Sequence, residues 1–500
     1  MPPLRGVGDL YGSQVEHGVN PMEQAQKVVI DRFRCPDNLF QIGTNGELSG
    51  DPGFFRFGSD LICYGKSSSF KTSPIAAPTL PDAQEYARAD GGGVSLPFSL
   101  SEVVEALRRE EYVGSLGHNA HALAQNRFVR LGYYLIRPLL PVSARKYLQR
   151  LALYGWEKYP FPRWPVDISV EQIIESVLVM ILRTTEEQGL PFIWFWPEGK
   201  QACAVMTHDV ETSLGRDFCE RLMDVDDAFG IKASFQVVPE RRYKVPRSYL
   251  DRIAQRGFEV NVQDLNHDGH LFDEYEEFQR RRKAINEYAD VFKARGFRSA
   301  VLYRKIDWLK SLHFEYDLSI PNVAHLDPQR GGCCTVFPYF IGDILEIPVT
   351  TTQDYSLFHI LRDYSLDLWK QQTSVILEKH GVMNFIIHPD YVTEGPEMAV
   401  FKNLLAYLAE LRDKAGVWIP LPRELNDWWR QRSRMQLVKN GSGWEIVGEG
   451  RERARLAYAR LVDGKLVYDL APLTSGPAEP ARESARAPVS SCNSAGITAA

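Results

Sequence analysis

The second half of the chain alternates short apolar runs with segments of helical periodicity. The apolar runs are, in order, ACAVMT, KASFQVV, FEVNV, RSAVLY, FEYDLSI, ILEIPVT and VMNFIIH. Helix-like segments such as DFCERLMDVDDAF and LDLWKQQTSVILEK lie between several of them. Strand and helix repeated over about 220 residues are typical of a parallel α/β domain, closed as a barrel or open as a wound sheet. We therefore predict an α/β fold here.

The remaining sequence divides into segments that differ in composition and hydrophobic pattern. With 500 residues the chain is too long for one ordinary domain. Ser99 and Glu102 have the spacing of a capping box ahead of a helical pattern, and the last residues are rich in Ala, Pro, Ser and Glu. We predict a flexible leader (1–27), a small strand-rich unit plus linker (28–95), a mainly helical region (96–200), the α/β domain (201–434), a small antiparallel β appendage (435–470) and a disordered tail (471–500).

Composition excludes several classes of protein. A formal net charge of -6 argues against general attraction to nucleic acid. The seven Cys contain no C-x-x-C pair and do not resemble a disulfide framework or a zinc ribbon. No apolar run approaches the roughly 18 residues needed to span a bilayer, and the first residues lack the apolar core of a signal peptide. We expect a cytoplasmic protein without a transmembrane segment or a nucleic-acid partner.

Polar side chains accumulate where the predicted strands end. In a parallel barrel these ends meet on one face, so residues far apart in sequence can surround one substrate. The first strand is followed by Asp209 and Glu211, the third by Gln263 and His267, a later one by Asp317 and the last by His388, while Arg298 precedes the fourth.

These residues lie in motifs that occur in a recognisable order. The motifs are THDVE at 207–211, GFEVNVQDLNHDGH at 257–270, GFRSAVLYR at 296–304, YDLSIP at 316–321 and FIIHP at 385–389. Together they resemble the NodB-homology polysaccharide deacetylases, carbohydrate esterase family four, as a divergent member. The resemblance covers roughly residues 201–425 and implies a deformed (β/α) barrel, flanked here by the strand-rich and helical region and by the small β appendage.

The resemblance also implies an activity and catalytic roles. The family hydrolyses carbon-nitrogen bonds other than peptide bonds, so we expect removal of N-acetyl or O-acetyl groups from a sugar or polysaccharide. Asp209 would be the general base, Arg298 would keep it ionised, and His388 would be the general acid. Asp317 matches the fourth motif.

A divalent metal is the cofactor that the resemblance implies, with zinc as the first choice and cobalt or nickel as alternatives. Glu211 would supply the metal carboxylate and His267 one imidazole. Gln263 stands where the family has its other histidine, and a neutral amide oxygen is a poorer ligand than imidazole for zinc-like metals. His270 is the obvious substitute ligand.

Two further departures leave other functions open. Glu211 is one methylene longer than the usual Asp, and Ala300 replaces the proline of the third motif, which predicts a looser loop around Arg298. A catalytically impaired protein with a glycan-binding or scaffold role in polysaccharide assembly is therefore the alternative. A metal-independent amidohydrolase of the allantoinase-like branch is a third interpretation. Taken alone, the acids of THDVE also fit an ordinary helix N-terminus.

Overall fold

The computed structural model describes residues 21–91, 93–116, 153, 155–185, 189–441 and 443–472. Most of the predicted leader, the central part of the predicted helical region and nearly all of the predicted tail lie outside these residues. The helices and strands given below all lie within the unit Met1–Leu470.

Among the described residues, two small sheets and three α-helices precede the main sheet. The elements are α1 (Pro21–Phe33), β1 (Gln41–Thr44), β2 (Ser49–Arg56), β3 (Ile62–Ser67), β4 (Arg88–Asp90), β5 (Gly93–Leu96), α2 (Leu100–Arg108), α3 (Ser169–Thr184) and β6 (Leu190–Ile193). One sheet has the order β1-β5-β4, and β2 pairs with β3. The Ser99 side chain accepts a hydrogen bond from the backbone N–H of Glu102 at 3.3 Å, so Ser99 caps α2.

The main sheet has nine strands in the order β12-β13-β11-β10-β9-β8-β7-β14, with β15 paired to β7. Its pairings are parallel except for that of β12 with β13. The strands are β7 (Ala202–Val210), β8 (Ala233–Val237), β9 (Glu259–Gln263), β10 (Gly296–Arg298), β11 (Tyr316–Asp317), β12 (Tyr339–Ile341), β13 (Ile344–Glu346), β14 (Val382–Ile387) and β15 (Val417–Trp418).

Helices connect most of these strands. They are α4 (Ser213–Ala228), α5 (Arg247–Gln255), α6 (Tyr275–Phe292), α7 (Ile306–Leu309), α8 (Asp367–Glu378), α9 (Gly395–Lys414) and α10 (Pro422–Arg434), and a π-helix spans Ser356–Leu361. Every residue of β7, β8, β9 and β14 is buried, as expected for parallel strands covered on both faces. The edge strands β12 and β14 do not pair with each other, so the barrel is open along one side. The predicted α/β class with a deformed barrel is confirmed.

One predicted strand is wrong in its position. The run RSAVLY was expected to form the fourth strand with Arg298 ahead of it, but β10 ends at Arg298 and Ala300–Leu302 forms a 3-10 turn. Val301 and Leu302 have φ angles of 58° and 55°, which no strand allows. Arg298 is thus the last residue of a strand.

Residues 436–470 form two antiparallel pairs of strands. The strands are β16 (Gln436–Asn440), β17 (Gly443–Val447), β18 (Leu456–Val462) and β19 (Lys465–Leu470), with β16 paired to β17 and β18 to β19. β18 also pairs with β6, so the end of the chain shares a sheet with residues that precede the barrel. Within the described parts of the chain, no helix has both the length and the apolar character needed to cross a membrane.

Candidate active site

The predicted site residues lie at the carboxyl ends of neighbouring strands. Asp209 is the second-to-last residue of β7, and Glu211 follows that strand directly. Gln263 and Arg298 end β9 and β10, where they are paired in register. His388 follows β14, which lies on the other side of β7. Parallel pairing therefore brings these side chains, drawn from four strands, to one edge of the sheet.

Asp209 is a buried carboxylate with two donors. Nη1 of Arg298 donates to Oδ1 at 2.9 Å, and Nε2 of Gln263 donates to Oδ2 at 2.9 Å. Burial raises the pKa of Asp209, while the charges of Arg298 and His388 oppose that rise. The guanidinium is fixed as well, because it also donates to Oγ1 of Thr207 at 3.0 Å and to the carbonyl of Leu318 at 3.1 Å. Substitution of the third-motif proline by Ala300 thus leaves Arg298 firmly held.

Glu211 is the point on which two imidazoles converge. Its Oε1 lies 2.7 Å from Nε2 of His267 and 3.3 Å from Nε2 of His388. Burial by itself raises the pKa of Glu211, but the charges of the two histidines outweigh burial and hold the pKa well below its usual value. The extra methylene of glutamate is therefore compatible with a carboxylate placed between His267 and His388.

Asp354 orients His388, and the sequence analysis did not identify it. Its Oδ1 lies 2.6 Å from Nδ1 of His388, and its Oδ2 accepts the backbone N–H of His388 at 2.7 Å. Burial lowers the pKa of His388, but Asp354 and Glu211 outweigh that effect and hold it well above its usual value. Tyr391 stacks on the imidazole with ring centroids 4.7 Å apart. The acid follows the ILEIPVT run, so the rule used for the other strand ends could have found it.

Two predicted residues lie further from Glu211. Nδ1 of His270 is 2.7 Å from Oδ2 of Asp273, and the His270 side chain is 34% exposed. Its role as a substitute ligand stays a prediction. Asp317 is buried, and its Oδ1 accepts the hydroxyl of Ser319 at 2.6 Å. The Ser319 hydroxyl in turn accepts the backbone N–H of Ser299 at 2.8 Å, so Asp317 supports the segment that carries Arg298.

The donor set fits a divalent ion of intermediate softness. Ligand atoms of Asp209, Glu211 and His388 lie within 4.8 Å of one another, and His267 adds a second imidazole beside Glu211. Carboxylates and imidazoles are the ligands that zinc and similar metals accept. Gln263 presents its amide nitrogen to both acids, and its buried Oε1 has no hydrogen-bond partner among the described residues. The amide nitrogen, and not the oxygen, therefore faces the two acids.

The sequence matches no protein-family model and no curated protein. Among solved structures it resembles a putative polysaccharide deacetylase from Mycobacterium smegmatis, with 17% identity, a TM-score of 0.39, and coverage of 48% of this chain and 93% of the other. A probable polysaccharide deacetylase from Pseudomonas aeruginosa PAO1 has 12% identity, a TM-score of 0.36, and coverage of 46% and 91%. The Puue allantoinase has 12% identity, a TM-score of 0.38, and coverage of 47% and 92%.

Each of these matches covers about half of this chain. The function proposed below rests on the geometry around Glu211.

Proposed function

We propose that this protein is a metal-dependent hydrolase that removes N-acetyl, or O-acetyl, groups from a sugar or polysaccharide. The observation that carries the proposal is the convergence of Asp209 and His388 on Glu211. Each of the two has a charged partner of its own, Arg298 for the acid and Asp354 for the imidazole. Hydrolysis of an amide or ester requires a general base and a general acid that lie in the same site.

Asp209 is the general base of the proposed reaction. A buried carboxyl tends to become protonated, which would remove its basicity. The 2.9 Å contact with Arg298 opposes that tendency, and Gln263 occupies the other carboxylate oxygen as a neutral donor. The contact with Arg298 thus favours the ionised form of Asp209, the form that can take the proton from an attacking water.

His388 is the general acid. Asp354 accepts from its Nδ1 and favours the doubly protonated ring, so that Nε2 carries a proton. That nitrogen lies 3.3 Å from Oε1 of Glu211. It can then protonate the departing sugar amine. Glu211 and His267 would hold the divalent ion, which when bound supplies a Lewis acid for the acetyl carbonyl.

The test combines metal content with acetate release. The purified full chain is loaded with zinc, cobalt or nickel, its metal content is measured by elemental analysis, and acetate released from N-acetylhexosamine oligomers is quantified. We expect about one ion per chain and activity that depends on it. Glu211→Gln should lose both, whereas the exposed Glu220→Gln should lose neither. A protein that stays metal-free and inert with all three metals would refute the proposal.

One observation favours a second candidate, a catalytically impaired relative that binds glycan or serves as a scaffold. The Gln263 amide donates to both site carboxylates, which satisfies them without an ion. The charges also balance within the protein, with three carboxylates, Asp209, Glu211 and Asp354, against three cationic groups, Arg298, His267 and His388. In that case Gln263→His should produce metal binding and acetate release that the natural protein lacks.

A further inference from the structure

A cavity of about 200 Å³ lies away from the Asp209 site. It is bounded on one side by the segment 158–162, which precedes the barrel, and on the other by the loop 324–331, which follows β11. We call it the Arg330 cavity. None of the site residues described above lines it, and among its described lining residues none is acidic.

Arg330 places an unneutralised charge in this cavity. The side chain is half-buried, and its guanidinium lies over the ring of Tyr159 at 4.4 Å and donates to the Tyr159 hydroxyl. Among the described residues, the Tyr159 hydroxyl is the only ionisable group that acts on its charge, and no carboxylate does. Burial lowers the pKa of Arg330, which is the electrostatic cost of a cation without a counter-charge. Lys158 adds a second positive charge at the wall. An anionic group would relieve this imbalance.

His325 adds neutral hydrogen-bonding capacity. The residue is 4% exposed, and neither ring nitrogen has a hydrogen bond of normal geometry with the described residues. The ring is fixed by stacking on Trp164, with centroids 5.9 Å apart, and by the edge of Tyr159 at 5.3 Å. Burial lowers its pKa to about 4, although the Pro162 carbonyl acts in the opposite direction. With its N–H toward the Pro162 carbonyl, the neutral imidazole presents its other nitrogen as an acceptor for a hydroxyl group.

The remaining walls are apolar and the volume is small. Ile75, Phe161 and Pro162 contribute side chains on which C–H groups can pack. Pockets for drug-sized ligands occupy about 300–1,000 Å³, so this cavity suits one ring and not an oligomer. A purely apolar acid would leave a buried nitrogen of His325 unpaired, which is costly. A sugar ring has C–H groups that pack on the apolar wall and hydroxyl groups that can pair with the imidazole of His325.

We propose that the Arg330 cavity is a binding site for a single hexose ring that carries an oxyanion, either a carboxylate or a phosphate. Arg330 and Lys158 bind the anion, His325 pairs with a ring hydroxyl, and the apolar wall covers one face of the sugar. The site does not depend on the reaction proposed for Asp209, since no catalytic residue lines it.

Isothermal titration calorimetry on the full chain tests the proposal with four probes: D-glucuronate, glucose 1-phosphate, glucose and benzoate. We expect at least one anionic sugar to bind about tenfold or more tightly than glucose, and benzoate to bind more weakly than that sugar. The preferred anionic sugar tells a carboxylate from a phosphate ligand. Arg330→Met should weaken its binding about tenfold or more, because a charge-assisted hydrogen bond is lost. Arg221→Met, at an exposed arginine of α4, should leave it unchanged.

A second variant keeps the proposal testable if Arg330→Met fails to fold. Ala76→Phe places a ring in the cavity from its partly exposed rim and should abolish binding while Arg330 is kept. The proposal is overturned if neither anionic sugar binds, if benzoate binds as well as they do, or if the folded variants bind like the natural protein. Because binding is read directly, a failure here is distinct from a failure of the deacetylase proposal.

Discussion

Replacement of Asp354 by asparagine should disable the general acid while leaving its imidazole in place. Oδ1 of Asp354 faces Nδ1 of His388 at 2.6 Å and the backbone N–H of Tyr355 at 2.7 Å, and Oδ2 faces the backbone N–H of His388 at 2.7 Å. Every one of these neighbours is a donor. In either orientation an asparagine must turn its NH₂ group toward a donor, and it also removes the charge that favours the protonated ring.

The size of the effect follows from those contacts. A buried donor left without an acceptor costs about 1–3 kcal/mol, so we expect Asp354→Asn to lower the free energy of unfolding by that amount. The loss of a correctly protonated general acid should reduce kcat/KM for acetate release by about 10²–10⁴-fold. Unfolding in urea and acetate release from N-acetylhexosamine oligomers measure the two effects separately.

Asp363→Asn is the matched control for this prediction. Asp363 lies on the same segment, and its Oδ1 accepts only the backbone N–H of Ser365, at 2.8 Å. We expect kcat/KM to stay within about twofold of the natural protein, since surface-type substitutions change little. If a folded Asp354→Asn protein keeps the natural kcat/KM, the assignment of His388 as the acid is refuted.

Three other substitutions test separate parts of the structure. Burial raises the pKa of Glu259 from 4.5 to about 7. Between these two pH values the folded protein keeps a proton that the unfolded chain has lost. The free energy of unfolding therefore falls as the pH rises from 4.5 to about 7. Glu259→Gln should therefore raise the free energy of unfolding in urea at pH 8 by about 2–3 kcal/mol and much less at pH 4, whereas an equal change at both would contradict this reasoning. Arg298→Met leaves the Asp209 carboxylate buried without its cation and should cost about 3–5 kcal/mol of stability, and a loss below about 1 kcal/mol would show that another group neutralises the acid. Gln263→His should tighten zinc binding, measured by competition with a chelator, by roughly tenfold or more, and unchanged affinity would mean that position 263 does not face the ion.

The sequence was most informative where a local pattern determines the structure. The run ending in THDVE predicts a buried strand with acids at its carboxyl end, and β7 has that form, because parallel pairing on both sides buries Ala202–Val210 completely. FIIHP predicts His388 just after β14 for the same reason. The alternation of strands and helices was enough to predict a parallel α/β domain, whereas the barrel was predicted from the resemblance of the motifs to a known family.

Features that depend on distant partners could not be predicted. Arg298 was expected ahead of a strand, but the positive φ angles of Val301 and Leu302 end β10 before the apolar run begins. The orientation of Gln263 depends on two acids more than 50 positions away in the sequence, Asp209 and Glu211. The pairing of β18 with β6 likewise joins segments at opposite ends of the barrel sequence.

The most direct test of the central claim is acetate release by metal-loaded protein with and without the base. The natural protein and Asp209→Asn are loaded with zinc, their bound metal is measured, and both are assayed on N-acetylhexosamine oligomers. If Asp209 is the base and Glu211 with His267 holds the ion, the variant keeps its metal and loses activity by about 10²-fold or more. Activity that survives in a folded, metal-loaded Asp209→Asn protein would contradict the assignment, as would a natural protein that binds zinc and releases no acetate.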